Sequence, residues 1–144
     1  MSLNSTDLRI PPPGAQYDVL IVGGGPAGLT AGIYLGKARV RALILETEKP
    51  RGRLNGDHIV SNYPGFKAIK GSELSELIVS HAKSSGAEIL TPARATTFDL
   101  MGEPKTIRTR DRELYSKRVI LAMGIQRKRL DIKGSQESLG KGVS

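Results

Sequence analysis

The residues with the clearest chemical potential form one glycine-rich turn early in the chain. Gly23, Gly25 and Gly28, with Pro26 and Ala27 between the last two, fit the spacing G-x-G-x-x-G. Glycines at this spacing allow a tight turn, let a phosphate approach the backbone without a Cβ in the way, and bring a helix close against a strand. The amides and the dipole at the start of such a helix attract phosphate groups. The turn therefore predicts a phosphate-binding site.

An acidic residue extends this prediction from a phosphate to a dinucleotide. Glu46 stands about 20 residues beyond the turn, at the end of a second apolar run, where a carboxylate accepts hydrogen bonds from an adenosine ribose. A carboxylate at this place suits both FAD and NAD, and it disfavours NADP because it would repel the 2′-phosphate. The alternative is an ordinary turn between a strand and a helix, with an unrelated acid nearby.

The elements around the turn are predicted to position these residues. Three short runs rich in Val, Ile and Leu, at 18–22, 41–45 and 118–123, are typical of strands buried on both faces of a parallel sheet. Pro26 to Lys37 is predicted to be the helix between the first two strands. The chain thus opens as a strand-helix-strand unit.

A second helix is predicted from Glu73 to Ser85, with Ser72 as its amino-terminal cap and Gly86 in the left-handed position after its end. Residues at spacings of three and four form its predicted apolar stripe. They are Leu74, Leu77, Ile78, His81 and Ala82.

The later part of the chain is predicted to be a small antiparallel meander that leads back to the main sheet. A strand is expected at 87–90, and the chain is expected to return to the main sheet at 119–122. The meander segments between them are 95–100, 105–110 and 113–116. The predicted fold class is therefore α/β: a Rossmann-like domain with a parallel sheet flanked by helices and a small antiparallel β-meander.

Length and composition limit the other possibilities. The chain has 144 residues, enough for one domain, which we place at 17–144 after a Pro-rich tail or linker at 1–16. It has no cysteine and only two histidines, so we predict no thiol catalysis and no metal site in these residues.

The charge and the hydrophobicity of the chain bear on its partners and its location. The net charge of +8 favours a solvated basic face over nucleic-acid binding, because aromatic residues are not interleaved with the basic ones. No apolar run approaches the roughly 18 residues of a membrane helix, and the amino terminus has no secretory pattern. We therefore expect a cytoplasmic protein that binds neither membranes nor nucleic acid.

From Tyr17 to Ser144 the sequence resembles the low-molecular-weight thioredoxin reductases, which belong to the pyridine nucleotide-disulfide oxidoreductases. The stretch Asn62-Tyr63-Pro64-Gly65-Phe66 is the most specific part of the resemblance, since most nicotinamide-binding domains lack it. The other segments that carry it are Gly25 to Tyr34, Glu46, Arg51 to Leu54, Gly71 with the helix that follows, Ala122 to Gly124 and Gly140 to Ser144.

The resemblance implies an FAD site and assigns residues to it. The glycine turn, including Pro26 and Ala27, would line the FAD pyrophosphate, and Glu46 would bind the adenosine ribose. The remaining positions are Arg53 and Leu54 beside the flavin end, Asn62 near the isoalloxazine, Ala95 near the adenine, and Ala122 and Gly124 crossing close to the cofactor.

The resemblance also implies an activity for the parent protein. Hydride would pass from NADPH to FAD, and electrons would continue through a cysteine pair beyond Ser144 to thioredoxin or a similar disulfide protein. The NADPH domain, that cysteine pair and a closing FAD segment are expected outside this chain, which alone would be inactive and contains no catalytic residue. A homodimer is expected by the same resemblance.

Some residues depart from the family pattern, and two other functions stay open. Arg51 and Arg53 stand where the family has Gly and Gln, Lys37 replaces an Arg, and Met123 replaces a Thr. One alternative is a related flavoprotein without the cysteine pair, of the ferredoxin–NADP reductase type. The other is a non-catalytic dinucleotide-binding module.

Overall fold

The computed structural model describes residues 16–48, 52–54 and 56–125. The predicted tail up to residue 15, Arg51 and the segment 140–144 lie outside the described residues. The elements are, in chain order, β1 (Gln16–Val22), α1 (Pro26–Lys37), β2 (Ala42–Leu45), a 3₁₀ turn (Gly52–Leu54), β3 (Ile59–Val60), β4 (Ile69–Lys70), α2 (Gly71–Ser84), β5 (Glu88–Leu90), β6 (Thr97–Asp99), β7 (Lys105–Arg108) and β8 (Glu113–Leu121).

One six-stranded sheet organises the fold, in the order β5-β2-β1-β8-β7-β6. The first four strands of that order are mutually parallel, and β7 runs antiparallel to both β8 and β6. Val22 pairs with Leu45 on one side and with Leu121 on the other, and Leu45 pairs with Leu90. The carboxyl ends of four parallel strands therefore meet at one edge of the sheet, where ligands bind in open α/β folds.

Both faces of the central strands are covered, which explains their continuous apolar sequences. On one face, Val19 and Ile21 of β1 pack with residues of both helices, such as Leu29 and Leu74. On the other face, Leu20 and Leu43 pack with Ile107 and Leu114 of the meander. The predicted fold class, with helices, a parallel-dominated sheet and a small antiparallel meander, is confirmed.

The first helix forms as predicted, and it sits close to its neighbours because of its glycines. A Cβ on Gly32 would lie 2.8 Å from the Ile44 side chain, and one on Gly36 would lie 2.2 Å from the Ser85 carbonyl oxygen. These contacts bring α1 against β2 and against the end of α2.

The second helix begins earlier than predicted, and Ser72 is not its cap. Lys70 is the capping residue, without a side-chain hydrogen bond. The amide of Gly71 donates to the His58 carbonyl over 2.9 Å, and the amide of Ser72 donates to the Gly56 carbonyl over 3.0 Å. The preceding loop thus satisfies donors that a side-chain cap would otherwise satisfy.

The predicted apolar stripe of α2 is too wide, while its carboxyl end agrees with prediction. Leu74, Ile78 and Ala82 are buried, but Leu77 is 48% exposed and His81 is exposed. Gly86 has a φ of +98°, which confirms the left-handed position after the helix.

The sequence suggested a meander separate from the main sheet, but the two are continuous. Segments predicted at 113–116 and at 119–122 form one strand, β8, and Ser116 is buried within it. Its hydroxyl donates to the Arg118 carbonyl over 2.8 Å. Lys117 points outward and forms an ion pair with Asp18 over 2.7 Å, so the polar run at 116–118 does not interrupt the strand.

Among the described residues, none of the helices has the length and hydrophobicity needed to cross a membrane.

Candidate functional site

The glycine turn follows β1 directly, and two of its glycines are required by the protein itself. Gly23 has a φ of +109°, and a Cβ on it would lie 2.3 Å from the Ala122 carbonyl oxygen. A Cβ on Gly28 would lie 1.9 Å from the Gly23 carbonyl oxygen. These two positions hold the end of β8 and the first turn of α1 against the end of β1.

For Gly25, the described residues give no packing reason for a glycine. Its φ of −77° is ordinary for any residue, and the nearest described atom to an added Cβ would be Gly52 Cα at 3.7 Å. That distance is an ordinary contact, so a methyl group would fit there, and Gly25 lines the cavity described below. A glycine that none of the described neighbours requires is typical of a place where a ligand approaches the backbone closely.

The start of α1 is prepared for a negative group. Pro26 occupies the first turn, Gly25 caps the helix without a side-chain hydrogen bond, and the first turn contains no acidic residue. Because the first amides of a helix have no partner within it, those of Ala27 and Gly28 are available donors. With the helix dipole, they favour a phosphate at this end.

Glu46 stands at the carboxyl end of β2, next to the turn, and backbone groups fix its side chain. Its Oε2 accepts a hydrogen bond from the Gly24 amide over 2.7 Å. Its Oε1 accepts from the Thr47 amide over 2.6 Å and from the Thr47 hydroxyl over 3.0 Å. A carboxylate has more acceptor positions than these three bonds use, so it can still accept from a ribose hydroxyl.

The main chain of Glu46 is fixed as well. Its amide donates to the Leu90 carbonyl over 3.1 Å, and its carbonyl accepts from the Ala93 amide over 2.7 Å. The loop after β5 is therefore tied to the end of β2, which brings Arg94 and Ala95 to the same edge of the sheet as the glycine turn.

These groups surround one open cavity of about 570 Å³ at the carboxyl edge of the sheet. Its volume lies within the range of about 300–1,000 Å³ typical of ligand sites. Most of the residues assigned to the site from the sequence line it: Gly23, Gly25, Pro26, Ala27, Glu46, Arg53, Ala95, Ala122 and Gly124.

Three assigned residues do not line the cavity. Gly28 is buried and packs against the turn. Leu54 is half-buried and packs against the core under the helices. Asn62 is exposed, in the loop between β3 and β4, and the structure does not bring it to this cavity.

The cavity also contains residues that the sequence did not assign to the site. Thr47 and Arg94 are polar, whereas Phe98, Met123 and Ile125 form an apolar wall. A general signal was available for some of them: residues just after the ends of parallel strands gather at one edge. Phe98 had no such signal, because it belongs to a meander strand.

The residues present fit a dinucleotide. Gly25 leaves room for a pyrophosphate, the start of α1 supplies amide donors, and Glu46 offers a fixed carboxylate for a ribose. Among the described lining residues, Arg53 and Arg94 outnumber the one acid, Glu46, so this part of the lining is electropositive. Electropositive lining and an apolar wall suit a ligand with phosphates and flat rings.

Comparisons with known proteins agree with this geometry. The family model of the pyridine nucleotide-disulphide oxidoreductases matches residues 17–144. A thioredoxin reductase of Bacillus subtilis is 38% identical over 128 residues, which are 89% of this chain and 40% of that protein. The chain thus spans about two fifths of the length of the curated relatives it matches.

Solved structures give the same picture. The thioredoxin reductase of Lactococcus lactis superimposes with a TM-score of 0.77 at 35% identity, over 86% of this chain and 41% of that one. A ferredoxin-flavin thioredoxin reductase from Clostridium acetobutylicum superimposes with a TM-score of 0.70 at 32% identity, over 90% of this chain and 44% of that one.

Proposed function

The chain belongs to the pyridine nucleotide-disulphide oxidoreductase family, and from that premise we propose that it is the FAD-binding part of a thioredoxin-disulfide reductase. The domain would comprise residues 17–144, and the parent protein would be an oxidoreductase that uses NADPH. The similarity to thioredoxin reductases over most of this chain supports the proposal.

One observation carries the cofactor assignment. No described residue would block a side chain on Gly25, which lines the cavity between the start of α1, where no side chain caps the helix, and the fixed carboxylate of Glu46. This combination suits a pyrophosphate with an attached ribose. FAD is the dinucleotide that the family resemblance favours.

The residues of this chain would bind and orient the cofactor. The amide of Ala27, which lines the cavity, would donate to the pyrophosphate, and Glu46 would accept from the ribose. The apolar side chains of Phe98 and Met123 in the lining would offer contacts to the flat rings of the cofactor. When bound, FAD would supply the redox chemistry, while the protein supplies position and electrostatics.

The proposal includes an electron path for the parent protein. Electrons from NADPH would pass by way of FAD to a cysteine pair outside these residues, and then to thioredoxin or a similar disulfide protein. We propose a cytoplasmic homodimer. The reacting thiols would lie outside this chain, because it contains no cysteine.

A related flavoprotein with a different electron path is the second candidate. The neighbour from Clostridium acetobutylicum is, by its name, a ferredoxin-flavin thioredoxin reductase, so this fold serves reductases with other donors. Arg53, which departs from the thioredoxin reductase pattern, also lines the cavity. A ferredoxin–NADP reductase type without the cysteine pair belongs to the same group, and a non-catalytic dinucleotide-binding module is the simplest alternative.

The first experiment is a visible absorption spectrum of the purified chain, recorded before and after incubation with FAD and removal of excess. A retained flavin band would support the FAD assignment and show that these residues hold the cofactor without the closing segment expected outside them. Loss of all flavin from a folded chain, together with retention of NAD under the same conditions, would contradict the FAD assignment.

A second experiment tests the electron path on the longer protein. NADPH-dependent reduction of thioredoxin is expected from the leading proposal. Turnover with ferredoxin and none with thioredoxin would favour the second candidate, whereas stoichiometric nucleotide binding without any turnover would favour the module.

A further inference from the structure

The short 3₁₀ turn Gly52–Leu54 lies directly on the glycine turn. A Cβ on Gly52 would lie 2.9 Å from Gly25 Cα and 3.4 Å from Pro26 Cδ, and the φ of Gly52 is +52°. Gly52 therefore has both a conformational and a packing reason to be glycine. The main chain of the next residue, Arg53, is consequently anchored beside the start of α1.

The charge of Arg53 has no partner within the described part of the chain. Arg53 is exposed and lines the cavity, and no hydrogen bond or ion pair joins it to a described residue. The acid in the same lining is Glu46, whose two carboxylate oxygens each already accept a backbone amide. The cavity lining thus contains an arginine whose neighbour in sequence, Gly52, contacts the start of α1.

We propose that Arg53 binds the diphosphate of the dinucleotide, rather than the flavin end where the family resemblance would put it. A guanidinium presents a planar pair of N–H donors that matches two phosphate oxygens, and it is charged at all relevant pH values. Its charge adds to that of the helix start, which by itself supplies only neutral amide donors. This inference rests on the proposed dinucleotide site and adds a specific side chain to it.

The proposal predicts that Arg53 acts on a ligand without a flavin. ADP contains the diphosphate and the adenosine of FAD, whereas adenosine contains no phosphate. Binding of both to the full 144-residue chain can be measured by isothermal titration calorimetry. Arg53→Gln introduces the residue that the related family has at this position, and Arg53→Lys retains the charge without the planar donor pair. Arg110→Gln, at an exposed arginine outside the cavity, is the matched control.

For Arg53→Gln, we expect ADP affinity to fall about tenfold, because a charge-assisted pair with a phosphate is lost. Adenosine affinity should stay within about twofold, since adenosine has no diphosphate. The ADP affinity of Arg53→Lys should lie between those of wild type and Arg53→Gln, and Arg110→Gln should bind ADP like wild type. The difference between wild type and Arg53→Gln should shrink when salt is raised to about 0.5 M, because the site is open to solvent.

The outcomes separate this inference from the proposed function. Unchanged ADP affinity in Arg53→Gln, with FAD retained more weakly, would place the arginine at the flavin end and overturn the inference while leaving the FAD site intact. Failure of wild type to bind ADP would overturn it as well. Arg53-dependent ADP binding by a chain that retains NAD and not FAD would support the inference and contradict the proposed cofactor.

Discussion

A Cβ on Gly28 would lie 1.9 Å from the carbonyl oxygen of Gly23, so the first turn of α1 and the end of β1 touch through backbone atoms. Gly25, between them, lines the cavity, and the nearest described atom to a Cβ on it would be Gly52 Cα at 3.7 Å, an ordinary contact distance. The glycines of one turn therefore differ: Gly23 and Gly28 allow the backbone to pack, whereas Gly25 leaves room at the cavity for the proposed dinucleotide.

This difference gives a paired prediction. Gly28→Ala should destabilise the chain by about 3 kcal/mol, because a backbone atom blocks the new methyl group. Gly25→Ala should leave the free energy of unfolding within about 1 kcal/mol of wild type, because its φ and its surroundings accept alanine. It should nevertheless weaken FAD or ADP binding about tenfold or more. Urea unfolding and ligand titration of both variants measure the two effects, and wild-type affinity in Gly25→Ala would show that no phosphate approaches this residue.

Glu46 gives the second prediction. Glu46→Gln should weaken FAD binding by about tenfold, because a neutral amide accepts less strongly from a ribose hydroxyl and presents a donor to one of the two backbone amides. Fluorescence titration of FAD measures the change. Glu48→Gln, at an exposed acid two residues further along, is the matched control and should bind FAD like wild type. Equal affinities for the two variants would refute the role given to Glu46.

The opposite edge of the sheet gives a prediction about pH. The Tyr17 hydroxyl donates to Glu88 over 3.1 Å, and the Arg41 guanidinium lies 4.5 Å from the centre of the Tyr17 ring. Burial, and next the nearby Glu88 carboxylate, raise the pKa of Tyr17 to about 12. The fold thus favours the neutral phenol. This contribution to stability is complete below the ordinary pKa of 10.0 and is lost as the pH rises from there through about 12.

Tyr17→Phe tests this directly. The urea midpoint of wild type should exceed that of Tyr17→Phe at pH 8, because the variant lacks the hydrogen bond to Glu88. The difference should narrow between pH 10 and 12, where only wild type loses the contribution of this phenol. A constant difference across that range would mean that Tyr17 does not titrate with the expected shift.

Asp18 gives a prediction in the acid range. The hydrogen bond from Lys117, and next that from the Arg41 amide, lower the pKa of Asp18 below its ordinary value of 3.8. Lys117→Gln should raise the pKa of Asp18 toward that value, as measured by carboxyl NMR titration. The contribution of the pair is present above the ordinary pKa and is lost as the pH falls through the lowered one.

Asp99 provides an internal control for the same titration. The amides of Gly102 and Met101 hold its pKa below 3.8, and Lys117 is not among the groups that shift it. Its titration should therefore be unchanged in Lys117→Gln. Parallel shifts of both aspartates would point to a general change of the fold rather than to the ion pair.

Local patterns predicted the part of the fold that carries the glycine turn. The elements β1, α1 and β2 could be predicted from Gly23 to Gly28 and the apolar runs on either side. Strand burial, turn conformation and the start of the helix all depend there on the types of adjacent residues. The position of Glu46 at the end of β2 could be predicted as well, because the apolar run that forms β2 ends directly before it.

Features that depend on distant contacts could not be predicted in this way. The start of α2 depends on carbonyl groups of Gly56 and His58, which no local pattern relates to Gly71. Leu77 continues the helical period but lies outside the part of α2 that faces the sheet. Phe98 reaches the cavity only because the meander folds back along β8.

The continuity of β8 has a consequence for how the chain unfolds. The strand pairs with β1 on one side along Tyr115 to Leu121 and with β7 on the other along Glu113 to Ser116. Loss of β8 would therefore break its pairing with β1 and with β7 at the same time and open the middle of the sheet. We therefore expect β1, β7 and β8 to open as one cooperative unit, with similarly slow hydrogen exchange of their amides. A substitution in the meander that loosens β8 should then also change the cavity.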